Sequence, residues 1–157
     1  PRGRIAVMVL LVLVHVGIGA VWLGSMVYCL GVVQPRIGRL FGDPAKAEDV
    51  YRELAAGNRW RVVALIGVLG LSGAALVPLL SDDRGDGWWW TLIALKAALL
   101  IAAAGCFWWV SWRGWPARVF ALPAELPALH RRFRRIAILM TGFVALSLAL
   151  GVLAAHT

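Results

Sequence analysis

Long apolar runs alternate along the chain with short polar and basic segments. Four runs are long enough to cross a bilayer, which takes about 20 predominantly apolar residues in a helix. They cover residues 5–33, 62–81, 88–112 and 136–157, and Lys96 is the one charged residue within them. The pattern predicts an all-α fold. We expect a polytopic membrane protein, a four-transmembrane-helix bundle in which residues 1–157 form a single membrane domain.

Composition separates this chain from soluble domains. Apolar residues make up 61% of the 157 positions and charged residues 15%, whereas soluble globular chains carry about 45–50% and about 25%. Such a chain has too few polar groups to cover its surface in water, but lipid removes that need. The first apolar run is far longer than the roughly 7–15 residues of a signal peptide's apolar region, so we expect it to remain as a span.

Basic residues, which give the chain its net charge of +8, concentrate in two connections between the predicted spans. The first holds Arg36, Arg39, Lys46, Arg52, Arg59 and Arg61, and the second holds Arg113, Arg118, Arg131, Arg132, Arg134 and Arg135. By the positive-inside rule, residues 34–61 and 113–135 are cytoplasmic and both termini extracytoplasmic, in a plasma (inner) membrane. This distribution favours anionic lipid over nucleic acid as a partner. A homo-oligomer or a larger membrane complex stays open.

The first connection carries the signals of a short helix. Asp43 is a helix cap before Pro44, and Gly57 is a stop signal. Apolar side chains recur between them at helical spacing, at Ala47, Val50, Tyr51 and Leu54. We therefore predict a short amphipathic cytoplasmic helix over residues 43–56, lying along the membrane surface.

Prolines and glycines give two further predictions. The second connection contains Pro116, Pro123 and Pro127, so we expect most of it to be extended or turned. Rows of small residues occur on the first two helices, at Gly17 and Gly24 and at Gly67, Gly70 and Gly73. Because close backbone approach drives helix association in lipid, we expect helix contacts along these rows.

Two ionisable side chains, His15 and Lys96, lie deep in the predicted spans. Their helices run in the same direction, and both residues lie about 12–15 Å from the same membrane surface at roughly 1.5 Å per residue. Ionisable residues inside a membrane are functional by default, so we expect a shared interior site. The alternative is a structural role, in which neutral His15 accepts a hydrogen bond from Lys96 or Lys96 snorkels outward to the membrane surface. No carboxylate lies in the spans, so Ser72 or a backbone carbonyl would have to orient a metal-binding His15.

Other potential ligands share the face of the first helix that carries His15. They are Met8, Trp22, Met26 and Cys29. Histidine and methionine offer ligands to copper(I), and histidine alone ligates haem iron, although the same stripe is typical of packing. We take His15, Met8 and Met26 as candidate metal ligands, and His15, Lys96 and Trp22 as candidate cofactor-binding residues. His130 and His156 are expected at opposite membrane surfaces.

Short motifs along the chain resemble one membrane family. They are His15-x6-Trp22-x-Gly24, a first helix ending near Pro35, Arg59-Trp60-Arg61, Leu71-Ser72-Gly73 and Leu95-Lys96. The chain resembles the copper resistance protein D (CopD) superfamily, which also takes in the HemJ-type protoporphyrinogen oxidases. In the latter, a first-helix His and a third-helix Lys, matched here by His15 and Lys96, are associated with haem b. Where those proteins carry an aromatic and arginine-rich stretch, residues 25–29 read Ser-Met-Val-Tyr-Cys.

The resemblance implies a membrane protein that binds haem b or a copper ion near His15. Its role would lie in redox chemistry or in copper handling, since the copper resistance branch implies copper transfer across the membrane. An alternative is a non-catalytic accessory subunit of a larger membrane complex, in which His15 and Lys96 merely pair.

Overall fold

The computed structural model describes residues 2–84 and 86–156. Seven α-helices form within this part of the chain: α1 (Arg2–Tyr28), α2 (Gln34–Phe41), α3 (Pro44–Ala55), α4 (Asn58–Arg84), α5 (Gly87–Trp109), α6 (Trp115–Val119) and α7 (Leu126–Ala154). Two π-helical segments, Cys29–Val33 and Val110–Gly114, continue α1 into α2 and α5 into α6. No described residue belongs to a β-strand, which confirms the all-α prediction.

Four helical stretches are long and apolar enough to cross a membrane: Gly3–Phe41, Asn58–Asp82, Gly87–Val119 and Leu126–Ala154. They overlap the four predicted spans, extend several residues further into the two basic connections, and indicate a multi-pass membrane protein. The two basic connections meet at one end of the bundle, here called the basic end, where Glu48 pairs with Arg118. At the other end of the bundle, here called the opposite end, Nη2 of Arg4 lies 3.2 Å from Oδ2 of Asp82.

The four-helix bundle consists of two hairpins of the same plan. In each, a long helix carries an ionisable residue, passes into a π-helical segment and continues into a helix with proline in its first turn, at Pro35 or Pro116. His15 precedes the first π segment by the same interval (15 to 29) as Lys96 precedes the second (96 to 110). The first hairpin returns through α4 and the second through α7.

The central core follows this hairpin equivalence. Its buried members are Trp22, Leu69, Ala103 and Val144, one from each long helix. Trp22 follows His15 by the same interval as Ala103 follows Lys96. A large side chain in one hairpin is therefore matched by a small one in the other, which lets the two hairpins pack around a shared centre. His15 and Lys96 lie between this core and the end of the bundle that is opposite the basic end.

The predicted helix over residues 43–56 is confirmed as α3, with the Asp43 carboxylate accepting a hydrogen bond from Ala45 N at 2.9 Å. Gly57, with φ of 70°, ends it as expected. The predicted face is buried in part, since Ala47 is buried and Val50 and Tyr51 are half-buried. Leu54, however, is 59% exposed, whereas Glu48 is 2% exposed. Helix α3 is therefore held to the bundle partly by a charged side chain.

The prediction that residues 113–135 are mostly extended or turned was wrong. Pro116 and Pro127 lie in the first turns of α6 and α7, where the missing N–H of proline costs no intrahelical hydrogen bond. Only residues 120–125 leave helical geometry. Helix α7 consequently begins well before its apolar span and carries His130 and Arg134 on its first turns.

The glycine rows were also predicted wrongly as packing surfaces, with one exception. A Cβ built at Gly17, Gly24, Gly67 or Gly70 meets no atom within 4 Å. A Cβ at Gly73 would lie 3.1 Å from Cε1 of His15. This one glycine makes room for a polar side chain rather than for a neighbouring backbone.

Candidate functional site

A cavity of about 220 Å³ lies inside the bundle, between α1, α5 and α7. His15 and Lys96 both line it, so the structure brings together the two residues that the sequence placed at one depth. Two of its apolar lining residues, Val16 on α1 and Val152 on α7, are 48% and 58% exposed. The cavity therefore opens sideways between α1 and α7, towards the surface that lipid would cover.

Ser72 on α4 determines the orientation of the His15 ring. Nδ1 of His15 lies 2.8 Å from Oγ of Ser72, and that Oγ lies 2.6 Å from the Val68 carbonyl oxygen. Because the single hydroxyl hydrogen of Ser72 is donated to the carbonyl, its oxygen accepts from Nδ1–H of His15. Nε2 of His15 then carries the lone pair that a ligand or metal requires. The orientation through Ser72 agrees with the sequence prediction.

Glycines give space to both polar side chains. The His15 ring packs over Gly73, and the Lys96 amine packs over Gly151 on α7, where an added Cβ would lie 2.6 Å from Nζ. Ser147, one turn earlier on α7, donates a hydrogen bond to the Lys96 carbonyl oxygen at 3.4 Å. Lys96 is thus held at its backbone while its amine extends along the glycine surface into the cavity.

His15 and Lys96 share the cavity without bonding to each other. No hydrogen bond joins them in residues 2–84 and 86–156, where the partner of His15 is Ser72. The simple structural pair considered from the sequence is therefore absent from this part of the chain. Both groups are directed to a common space in which each can contact a third species.

The remaining predicted ligands lie elsewhere or play a different part. Trp22 lines the cavity but is 2% exposed and belongs to the central core. Met8 and Met26 do not line the cavity. Because α1 is continuous from Arg2 to Tyr28, they lie about 10 and 16 Å from His15 along the axis, at roughly 1.5 Å per residue. Neither methionine can share a metal ion with His15.

His156, which the sequence predicts at a membrane surface, also lines the cavity that contains His15. It follows the end of α7. Its Nδ1 lies 2.7 Å from the Val152 carbonyl oxygen, to which it donates, so Nε2 of this ring is also unprotonated when the ring is neutral. The cavity thus extends from the bundle interior to an imidazole at the opposite end.

A second polar cluster, at the basic end, joins three elements around Glu48. Arg118 on α6 binds this carboxylate through Nε at 2.7 Å and through Nη2 at 2.8 Å. His130 on α7 approaches it with Nε2 at 2.7 Å. Arg118 also lies over the rings of Tyr51 and Phe133, each 5.1 Å from its guanidinium carbon. Sequence reasoning missed this cluster because its members lie far apart in the chain.

The charge state of the cluster follows from these contacts. Burial alone would raise the pKa of Glu48, but hydrogen bonds from Arg118 and His130 and the positive charge of Arg118 outweigh burial, so the pKa lies below its usual value. Burial raises the pKa of the neighbouring Tyr51 phenol. Glu48 is therefore a carboxylate at neutral pH, and Tyr51 is a neutral hydrogen-bond donor.

Comparison of the chain with protein-family models, with curated proteins and with solved structures finds no match. In the described residues, no group of three or more His, Cys, Asp or Glu side chains is close enough to hold a metal ion. A closed metal site built from those residue types is therefore absent from this part of the chain. The cavity instead offers isolated nitrogen donors with open space around them.

Proposed function

We propose that this multi-pass membrane protein handles copper, binding the ion as cargo through Nε2 of His15 inside the bilayer. The observation that carries the proposal is the fixed ring of His15, whose Nδ1–H is used on Ser72 and whose Nε2 is left for a ligand. Imidazole nitrogen is a suitable ligand for copper. A hydrogen-bonded second nitrogen is the usual arrangement of metal-binding histidine. The resemblance to the copper resistance protein D superfamily supports the same reading.

The donors around the cavity suit an ion in transit better than a resident one. His15 supplies one imidazole, His156 supplies another nearer the opposite end, and the Lys96 amine lies between apolar walls. A site with few protein ligands leaves coordination positions open, which favours release. The stepwise arrangement of nitrogens offers a path from the membrane interior to the end of α7.

The cavity is too small to enclose haem b, the other group that the resemblance implies, which would have to project through the opening between α1 and α7. Its volume of about 220 Å³ is below the roughly 300–1,000 Å³ of pockets that enclose drug-sized ligands, and a porphyrin is at least of that size. A copper ion has no such size restriction.

Metal analysis and optical spectroscopy of the purified protein test the proposal. After loading with copper(I) under reducing conditions and removal of excess ion, we expect about one copper per chain and no Soret band. A stoichiometric Soret band with a redox-sensitive α band would show that the bound group is haem and not copper. Absence of both groups would contradict the proposed function and leave a non-catalytic accessory role, without a hydrogen bond between His15 and Lys96, as the better account.

A further inference from the structure

A second cavity, of about 360 Å³, lies at the basic end. Tyr51, Arg118, His130 and Arg134 contribute its polar lining, together with Gln34. Gln34 directly follows one apolar run, and Arg134 stands just before another. The cavity therefore lies where the apolar spans end, at the depth of lipid headgroups.

The lining of this cavity is richer in cations than in carboxylates. Glu48 balances the charge of Arg118, with which it forms a bidentate pair. Arg134 is exposed, and it forms no ion pair with any residue that the structure describes. Arg134 therefore adds a positive charge that no described carboxylate neutralises.

Two guanidinium groups, those of Arg118 and Arg134, offer donors to a ligand in this cavity. Arg118 uses Nε and Nη2 on Glu48, and no hydrogen bond to its Nη1 is found within the described chain. Three rings, those of Tyr51, Trp115 and Phe133, hold its guanidinium plane in place. A guanidinium that lies between aromatic rings and has a spare N–H, together with the exposed guanidinium of Arg134, is well suited to phosphate oxygens.

We propose that this cavity binds the phosphate group of an anionic phospholipid, with Arg134 as the principal charged contact. Its depth favours a lipid headgroup, since the acyl chains would extend along the apolar spans while the phosphate stays among the cations. Free phosphate shares this chemistry and is the alternative source. The proposal concerns the basic end and is independent of the copper cavity.

Binding of two short-chain lipids to the purified full-length protein tests this site. The probes are phosphatidylglycerol and phosphatidylcholine of equal acyl length, measured by native mass spectrometry with inorganic phosphate as competitor. We expect Arg134→Gln to weaken phosphatidylglycerol binding about tenfold, the loss of one charge-assisted contact. The matched control is Arg135→Gln, because Arg135 is exposed on the same helix and does not line the cavity. We expect it to change binding less than twofold.

The outcomes distinguish the sources. A lipid headgroup is supported if phosphatidylglycerol binding weakens in Arg134→Gln but not in Arg135→Gln. Millimolar phosphate should then displace little phosphatidylglycerol from the wild type, and phosphatidylcholine should bind more weakly. If inorganic phosphate binds with the same dependence on Arg134 and phosphatidylglycerol does not, the lipid assignment is overturned in favour of a soluble ligand. If Arg134→Gln and Arg135→Gln change phosphatidylglycerol binding equally, or if neither changes it, the proposal that this cavity is the binding site is overturned. A melting temperature within 2 °C of the wild type excludes misfolding as the cause.

Discussion

His15 is oriented by a serine on a neighbouring helix, because no carboxylate lies in the apolar runs 5–33, 62–81, 88–112 and 136–157. The hydroxyl of Ser72 is itself fixed by the Val68 carbonyl, so a short chain of hydrogen bonds determines which imidazole nitrogen faces the cavity. Counting residues along two parallel helices was enough to predict that His15 and Lys96 share one depth. The supporting glycines were not predictable, because which glycine faces a polar side chain depends on the rotation of each helix in the bundle.

Gly73→Ala tests the contact between α4 and the His15 ring. The new Cβ would lie 3.1 Å from Cε1 of His15, so the ring must move by a few tenths of an ångström. We expect copper(I) affinity, measured by competition with a colorimetric chelator, to fall about tenfold, within the range seen when the residues that orient a metal ligand are disturbed. Gly70→Ala is the control, because its Cβ meets nothing within 4 Å. Equal affinities in the two variants would contradict the role of this contact.

Helix α3 is an element whose position depends on one carboxylate. Its cap, its stop and its helical periodicity were all readable from residues 43–57, because these signals are local. Its partners were not, because Glu48 meets residues of α6 and α7 that are distant in sequence. The prolines gave a wrong prediction for a related reason. Proline disrupts the interior of a helix but is favourable in its first turn, and the sequence alone does not show where in a helix Pro116 and Pro127 lie.

Glu48→Gln tests how strongly the cluster holds α3, α6 and α7 together. The substitution leaves Arg118 buried with no charge partner, and breaking a buried ion pair costs about 3–5 kcal/mol. We expect a corresponding loss in the free energy of unfolding, measured by denaturant titration in detergent micelles. Glu53→Gln is the control, since Glu53 is exposed on the same helix, and we expect a change within about 0.5 kcal/mol.

The same carboxylate predicts a dependence of stability on pH. The folded-state pKa of Glu48 lies below its unfolded value, so its contribution is complete above the unfolded pKa of about 4.3. It is lost as the pH falls through the lower, folded-state pKa. Melting temperatures measured from pH 7 to pH 3 should fall more steeply in the wild type than in Glu48→Gln. Parallel curves would show that Glu48 does not contribute in this way.

The whole molecule is built from two hairpins of one plan, and this equivalence decides where the candidate site lies. Apolar run lengths alone predicted the four spans, because lipid permits few other solutions. The equivalence was not visible in the sequence, since matched positions carry unlike residues such as Trp22 and Ala103. Only the common spacing of π segments and prolines, seen in the folded chain, relates the two halves. His15 and Lys96 occupy equivalent positions in them.

Membrane orientation is a prediction at this scale, from the basic residues gathered at one end. We expect that end to face the cytoplasm. In a variant with both native cysteines replaced, a cysteine at Lys46 should resist a membrane-impermeant maleimide in intact cells, and one at Gly87 should react. Both positions are exposed. Reaction at position 46 together with protection at position 87 would show that the basic end faces away from the cytoplasm.

The copper(I) affinity of His15→Ala tests the central claim most directly. If Nε2 of His15 is the principal ligand, chelator competition should show a loss of at least about a hundredfold, since removing a metal ligand exceeds the effect of disturbing its support. Met8→Leu, which removes a thioether from the same helix outside the cavity, should leave affinity within twofold of the wild type. Unchanged affinity in His15→Ala would contradict the account, and a matching loss in Met8→Leu would place the ion elsewhere on α1.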